Sequence, residues 1–243
     1  MPTAPAIDVN AYALTTSNSL LGFDRNNPTM TAAALQVSGL AESEMLVGID
    51  FRATDNMLYA VSNMSKIYSI DTTTGVATQA SSEAFKNGVN GLQFGVDFNP
   101  TVDRVRLHSD LAQNLRLHPD TGVLLATDGT LEYLEGDSAF GTMPSLVATA
   151  YTNPIPDAES TELYAIDSDL DTLVKLPSPN DGKIETVGSL TLDTSDDAAL
   201  DITVDGSAFA VLKTDTGSAL YRINLTTGEA TLSGAVGARS EDH

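Results

Sequence analysis

Short apolar runs separated by polar turns follow one another along the chain. Leu46-Val-Gly-Ile-Asp-Phe51 reads as a strand, Asp55-Asn56 as a turn, and Met57-Leu-Tyr-Ala-Val61 and Lys66-Ile-Tyr-Ser-Ile70 as two further strands. Gly75 closes the next turn before a fourth strand, Val76-Ala-Thr-Gln-Ala80. The order recurs at Phe94–Phe98, Arg104–Leu107, Asn114–Leu117 and Val123–Ala126. It recurs again at Leu146–Tyr151, Glu162–Ile166, Thr172–Lys175 and Ile184–Val187, and then at Leu200–Thr203, Ala208–Leu212, Ala219–Ile223 and Ala230–Leu232. The first unit shows only three clear strands, Tyr12–Leu14, Leu20–Phe23 and Ala32–Leu35. Strands this short with polar turns between them describe antiparallel meanders.

One phrase marks the repeat: Tyr68-Ser-Ile-Asp-Thr-Thr-Thr-Gly75, Leu115-Arg-Leu-His-Pro-Asp-Thr-Gly122 and Tyr221-Arg-Ile-Asn-Leu-Thr-Thr-Gly228, with looser copies at Pro179–Gly182 and Phe23–Pro28. A strand–turn–strand unit returning every ~45 to 55 residues is the signature of small sheets arrayed around an axis. The pattern predicts an all-β fold: a five-bladed β-propeller-like ring of four-stranded antiparallel meanders, first blade incomplete, spanning residues 1–243 as a single domain. A blade lacking its first strand is expected where the two chain ends interlock to close a ring. Ala6-Ile-Asp-Val9 resembles Gly48-Ile-Asp-Phe51, but too few residues separate it from the next strand for an ordinary hairpin, and the segment after Val236 is short and polar. Weak ring closure is the expectation.

Composition narrows the functional classes. The chain has no Cys, which removes disulfides, thiolate nucleophiles and Cys-bound zinc. The net charge is -21, Asp outnumbers Glu more than two to one, and Lys occurs five times. Such a surface repels nucleic acid and anionic lipid. The acidity fits a protein working in high salt, a calcium binder, or a soluble secreted protein. No apolar run approaches membrane-spanning length, so no membrane insertion is expected. The N-terminus lacks a basic and apolar leader, so a signal peptide is absent or already removed. An extracellular or periplasmic monomer is the expectation.

Two groups of residues carry candidate chemistry. Strand alternation puts Val105, Leu107, Leu115 and Leu117 on one face of the Arg104–His118 hairpin and Arg104, Arg106, His108, Asn114, Arg116 and His118 on the other. Like charges facing one another need anions. Either a ligand carboxylate, phosphate or sulfate supplies them through forked guanidinium contacts, or nearby carboxylates such as Asp103 and Asp128 do. The second group is the aspartate of the innermost strand, which recurs as Asp50, Asp97 and Asp201, with Ala150 in its place in the fourth unit. Inner strands line a propeller's channel, so the three could converge on a hard cation, calcium before magnesium. Alternatively each caps backbone N–H groups of a neighbouring strand. Asp167-Ser-Asp-Leu-Asp171 begins like a calcium loop, but Thr172 stands where such loops need glycine, so a solvated turn is expected. No Gly-x-Ser-x-Gly elbow or His-Glu-x-x-His helix is present.

The run Phe94-Gly-Val-Asp-Phe-Asn-Pro-Thr-Val-Asp-Arg-Val-Arg106, with Gln113-Asn-Leu-Arg-Leu-His-Pro-Asp-Thr-Gly122 and Ala150-Tyr-Thr-Asn153, resembles the bacterial family catalogued as domain of unknown function 4394. Gly48–Arg52 and Leu163–Asp167 match it too. The resemblance implies a propeller-like exported protein and carries no activity. The leading expectation is a non-catalytic extracytoplasmic binding or interaction module for a small anionic or saccharide ligand or a protein partner. The alternatives are a calcium-dependent hydrolase of lactones or phosphoesters, with calcium as its cofactor, and a structural surface protein adapted to high salt (halophilic).

Overall fold

The structure is a computed structural model and describes residues 7–80 and 83–237. Five antiparallel blades follow in chain order. Blade one holds β1 (Ala11–Leu14), β2 (Ser19–Asp24), β3 (Asn27–Thr31) and β4 (Leu35–Gln36). Blade two holds β5 (Leu46–Phe51), β6 (Leu58–Ser62), β7 (Ile67–Ile70) and β8 (Ala77–Gln79). Blade three holds β9 (Phe94–Asn99), β10 (Arg104–Ser109), β11 (Asn114–Leu117) and β12 (Leu124–Thr127). The insert that follows adds β13 (Glu132–Tyr133), which pairs in parallel with the outer strand of blade four. That blade holds β14 (Leu146–Tyr151), β15 (Leu163–Asp167), β16 (Thr172–Ser178) and β17 (Lys183–Ser189). Blade five holds β18 (Ala198–Ile202), β19 (Ala208–Thr214), β20 (Gly217–Ile223) and β21 (Ala230–Ala235).

Alternation along the strands makes the core. Val105, Leu107, Leu115 and Leu117 of blade three face Tyr59, Val61 and Ile67 of blade two. Val147, Ala148 and Ile166 of blade four pack with Leu200, Ile202 and Leu212 of blade five in the same way. Each blade interface is thus a two-sided apolar layer, which a lone four-stranded meander could not bury. The repeated Thr-Gly turns have a steric cause. Gly75, Gly122, Gly182 and Gly228 all have positive φ. A Cβ on Gly228 would meet the Gly188 carbonyl oxygen of blade four at 2.3 Å.

Four turns share one geometry and reveal what β1 is. The turn between second and third strands carries Ser65 in blade two, Ala112 in blade three and Asp171 in blade four, all at positive φ. A hydroxyl at its start accepts a backbone N–H, Lys66 to Ser62 Oγ at 3.4 Å and Gln113 to Ser109 Oγ at 3.2 Å. The β1–β2 turn repeats both features: Asn18 has φ 57° and the Ser19 N–H donates to Thr15 Oγ1 at 3.0 Å. It also meets the segment entering the next blade, as Ser65 and Asp171 do: Asn18 Oδ1 accepts from the Leu46 N–H at 2.9 Å. β1 therefore stands at the second-strand position. Among the described residues no strand occupies the innermost position of blade one.

The expected incomplete first blade is thus present, with its strands placed differently from the sequence reading. Ala32–Ala34 form no strand; β3 and β4 lie on either side of them and share the outer edge of β2. Ile7–Val9 form no strand, and residues 238–243 of the polar C-terminal segment lie outside the described residues. Blade one closes the ring by packing. β21 lies along β3, with the Gly237 N–H donating to the Pro28 carbonyl at 3.4 Å. On the other side Tyr12 meets Phe51 at 5.9 Å between ring centroids, as Tyr59 meets Phe98 at 5.3 Å one blade on.

Candidate functional site

The inner strands β5, β9 and β18 bring Asp50, Asp97 and Asp201 to the axis. One carboxylate oxygen from each lies within 4.8 Å of the others. The same register explains the convergence: Asp50 pairs opposite Tyr59, Asp97 opposite Arg106, and Asp201 opposite Phe209. Two of the three also tie blades together. Asp50 Oδ2 accepts the Phe98 N–H at 2.8 Å, and Asp97 Oδ1 accepts the Tyr151 N–H at 3.1 Å. Asp50 Oδ1 also takes its neighbour's N–H, Phe51 at 2.7 Å. The three aspartates thus converge, and Asp50 and Asp97 also cap the inner strand of the next blade.

Electrostatics at this cluster is unfavourable. Burial and then the neighbouring Asp201 charge push the Asp50 carboxyl well above its ordinary range. Burial, then Asp50 and Asp201, do the same to Asp97. Asp201 is raised by burial as well, although its side chain keeps contact with solvent. Crowding by protein on most sides outweighs that opening, because a carboxylate needs a full hydration shell to hold its charge. Three hard oxygen donors at this spacing suit a cation such as calcium, since each oxygen keeps a lone pair beyond its N–H bond.

The Arg104–His118 hairpin has the predicted faces: Arg106 pairs opposite Arg116 and His108 opposite Asn114. Its charges are partly met from within. Arg106, only 2% exposed, donates to Asp128 Oδ2 at 2.6 Å, Asn114 Oδ1 at 2.7 Å, Asn180 Oδ1 at 2.7 Å and the Tyr151 hydroxyl at 3.2 Å. Arg116 forks onto the same Asp128 at 2.7 and 2.9 Å, which raises its pKa. Arg106, Asn114 and His108 are buried, so three of the six residues expected to contact an anion form the frame behind the surface. His118 accepts the Asp120 N–H at 3.3 Å.

Arg104 and Arg116 remain half-exposed at a groove between blades three and four. The groove encloses about 550 Å³ beside Tyr151, Glu162, Lys175 and Asn180. A side pocket of about 240 Å³ carries Arg104, Arg106, Arg116, Asn99 and Thr101. Two of these guanidinium groups, Arg106 and Arg116, share one bonded carboxylate, Asp128. Arg104 donates to the Asp103 carbonyl oxygen at 2.7 Å, while the Asp103 carboxylate is held by Arg52. The side pocket is lined by three arginines and no carboxylate, whereas the larger groove sets Arg106 and Lys175 against Glu162 and Asp181.

Sequence reasoning missed Asn99 of the same blade, and Tyr151, Asn180 and Lys175, which reach the groove from blade four. It also missed the Arg52 clamp to Asp55, Asp103 and Asp120 across blades two and three. The Asp167–Asp171 turn corrects an expectation. Asp167 is fully buried, accepting the Tyr133 hydroxyl at 2.5 Å and the Asp169 N–H at 3.1 Å, and Asp171 accepts the Thr194 N–H at 2.9 Å. The expected solvated turn thus begins with a buried carboxylate that holds the β13 insert in place.

Five sheets around a shared axis, with the inner strands β5, β9, β14 and β18 lining it, define a five-bladed β-propeller. The family model described as a domain of unknown function (DUF4394) matches residues 19–242, and the chain belongs to that family. No curated protein matches it. Among solved structures it is similar to a structural-genomics protein of unknown function from Bacteroides thetaiotaomicron VPI-5482, at 17% identity and a TM-score of 0.55, covering 94% of this chain and 58% of that one. The propeller of Dos1 aligns at 13% identity and a TM-score of 0.46, over 78% of this chain and 46% of its own. The chain spans little more than half the length of the first and less of the second, and the likeness to the first bears on fold alone.

Proposed function

We propose that this protein is a non-catalytic, extracytoplasmic binding module that takes a small anionic ligand in the groove between blades three and four. An acidic saccharide or a dicarboxylate fits the chemistry. The observation that carries the reading is the set of three arginines lining one pocket, two of which, Arg106 and Arg116, share a single carboxylate, Asp128. Asp128, Asn114 and Asn180 hold the buried Arg106 in place, so Arg104 and Arg116 present their planar donors from a rigid wall. Titration calorimetry with galacturonate, citrate and sulfate tests this. At least one should bind, more weakly as salt rises. Arg104→Gln and Arg116→Gln should weaken it by about tenfold or more, the loss of one charge-assisted contact, with little change in melting temperature. Absence of binding by all three anions, or binding indifferent to both substitutions, refutes the reading.

The convergence of Asp50, Asp97 and Asp201 favours a second reading, a calcium-dependent hydrolase of lactones or phosphoesters. These three residues would hold the ion, which when bound supplies polarisation of a substrate oxygen and an activated water. Elemental analysis of the purified protein and its melting temperature with added calcium decide it. No bound metal and no calcium shift would remove it.

A further inference from the structure

Building on the groove reading and dependent on it, we infer that the ligand is a mixed acidic saccharide: one terminal uronate, its carboxylate in the three-arginine pocket, followed by a neutral sugar ring beside Lys175 and Glu162. A second carboxylate on the ligand is disfavoured, so dicarboxylates and polyuronates are the poorer fit.

The side pocket and the larger groove adjoin, since Asn99, Arg106, Tyr151 and Asn180 line both. Their sizes differ. Sites for small molecules enclose about 300–1,000 Å³. The groove, at about 550 Å³, falls in that range, and the side pocket, at about 240 Å³, lies below it. The pocket therefore holds one end of a ligand whose remainder fills the groove.

The two compartments ask for different chemistry, and the pocket offers donors. Arg116 spends Nε and Nη2 on Asp128 and keeps Nη1, while Arg104 spends Nη1 on the Asp103 carbonyl. Asn99 Oδ1 already accepts the Thr101 N–H at 3.0 Å and its hydroxyl at 2.7 Å, and Asn180 Oδ1 accepts from Arg106 at 2.7 Å. Both amides thus have N–H groups left to give. The Tyr151 hydroxyl accepts from Arg106 and keeps its own proton to donate. An ionised carboxylate, which only accepts, satisfies such a wall.

The groove has the reverse balance. Exposed Glu162 and half-buried Lys175 bond each other at 2.5 Å, so the lysine is answered from within the protein. That bond holds the Glu162 carboxyl below its ordinary range, and it is charged at neutral pH. Arg106 is buried and spends its donors on Asp128, Asn114, Asn180 and Tyr151. Asp181 is exposed and has no ion-pair partner among the described residues. A ligand carboxylate here would face Glu162 and Asp181 with both groove cations already engaged. Sugar hydroxyls instead donate to these carboxylates and accept from the N–H groups left on Lys175. Ser178 adds a hydroxyl, and exposed Pro177 an apolar surface for the C–H groups of the ring.

Titration calorimetry at one salt concentration compares galacturonate, galacturonosyl-rhamnose, digalacturonate and neutral cellobiose. Galacturonosyl-rhamnose should bind at least tenfold tighter than galacturonate and than digalacturonate, and cellobiose should not bind. A protein carrying Glu162→Gln and Asp181→Asn should bind digalacturonate at least fivefold tighter than the wild type does. Melting temperature shows whether the double variant is folded; Asp181→Asn alone, which breaks no ion pair, should move digalacturonate in the same direction. Galacturonate binding that rhamnose does not improve, digalacturonate binding as tight as the mixed disaccharide, or digalacturonate affinity indifferent to the substitutions overturns the inference and leaves the groove reading standing. Binding of citrate or sulfate without any uronate does the same. No binding by any of these acids overturns both.

Discussion

His108 supplies a quantitative test of the blade three–four interface. Its ring is fully buried and neither nitrogen has a hydrogen-bond partner. Burial, reinforced by the nearby Arg106 charge, drops its pKa to about 3. The unfolded chain binds the proton below its ordinary value of 6.5, whereas the folded protein refuses it until about 3. Stability is therefore full above pH 6.5 and falls as pH drops through that window. At about 1.36 kcal/mol per pH unit, the loss from this residue reaches about 2 kcal/mol at pH 5 and about 5 kcal/mol near pH 3. His108→Leu removes the proton site and the two unsatisfied nitrogens together. Urea unfolding of both proteins at pH 7.5 and pH 5 isolates the effect, because carboxylates elsewhere titrate alike in both. The wild type should lose about 2 kcal/mol more than the variant between these pH values. At pH 7.5 the variant should be at least as stable, since an unpartnered buried polar group costs about 1–3 kcal/mol. Parallel pH dependence in the two proteins would refute a neutral, unpartnered His108.

Three more outcomes follow from the same geometry. Asp97→Asn keeps the acceptor for the Tyr151 N–H and removes one crowded charge. A carboxyl raised above its unfolded value costs stability when ionised, so the variant should melt higher at pH 7, by about 3 °C per kcal/mol recovered, and calorimetry should show this gain vanish as pH falls toward 4. Asp128→Ala leaves Arg106 buried without its carboxylate and should cost about 3–5 kcal/mol in urea unfolding. Gly206→Ala and Gly228→Ala share the left-handed strain, worth about 1 kcal/mol; only at Gly228 does the new Cβ strike backbone, so its loss in thermal melts should be the greater by about 1 kcal/mol or more.

Much of the architecture lay open in the chain. Period-two alternation told the faces of the Arg104–His118 hairpin, because a strand has only two sides. The repeated Thr-Gly turns told the blade count, because left-handed corners accept few residues. The shared register of Asp50, Asp97 and Asp201 told that they could meet, since equivalent positions in a ring lie at equal depth. Even the placement of β1 had a signal in the hydroxyl that opens its turn, Thr15 beside Ser62 and Ser109, though a single hydroxyl is too common to read unaided.

What the tertiary structure decided concerns partners from other blades. The sequence placed Asp128 near the arginines, but only folding puts it between Arg106 and Arg116 and brings Asn180 and Tyr151 across from blade four. That turned half of an expected ligand surface into its support. Likewise, a run of apolar residues at Tyr12–Leu14 announces a strand but not its rank within a blade. Local preference acts over a few neighbours, whereas rank and the pairing of distant charges depend on which surfaces the closed ring presses together.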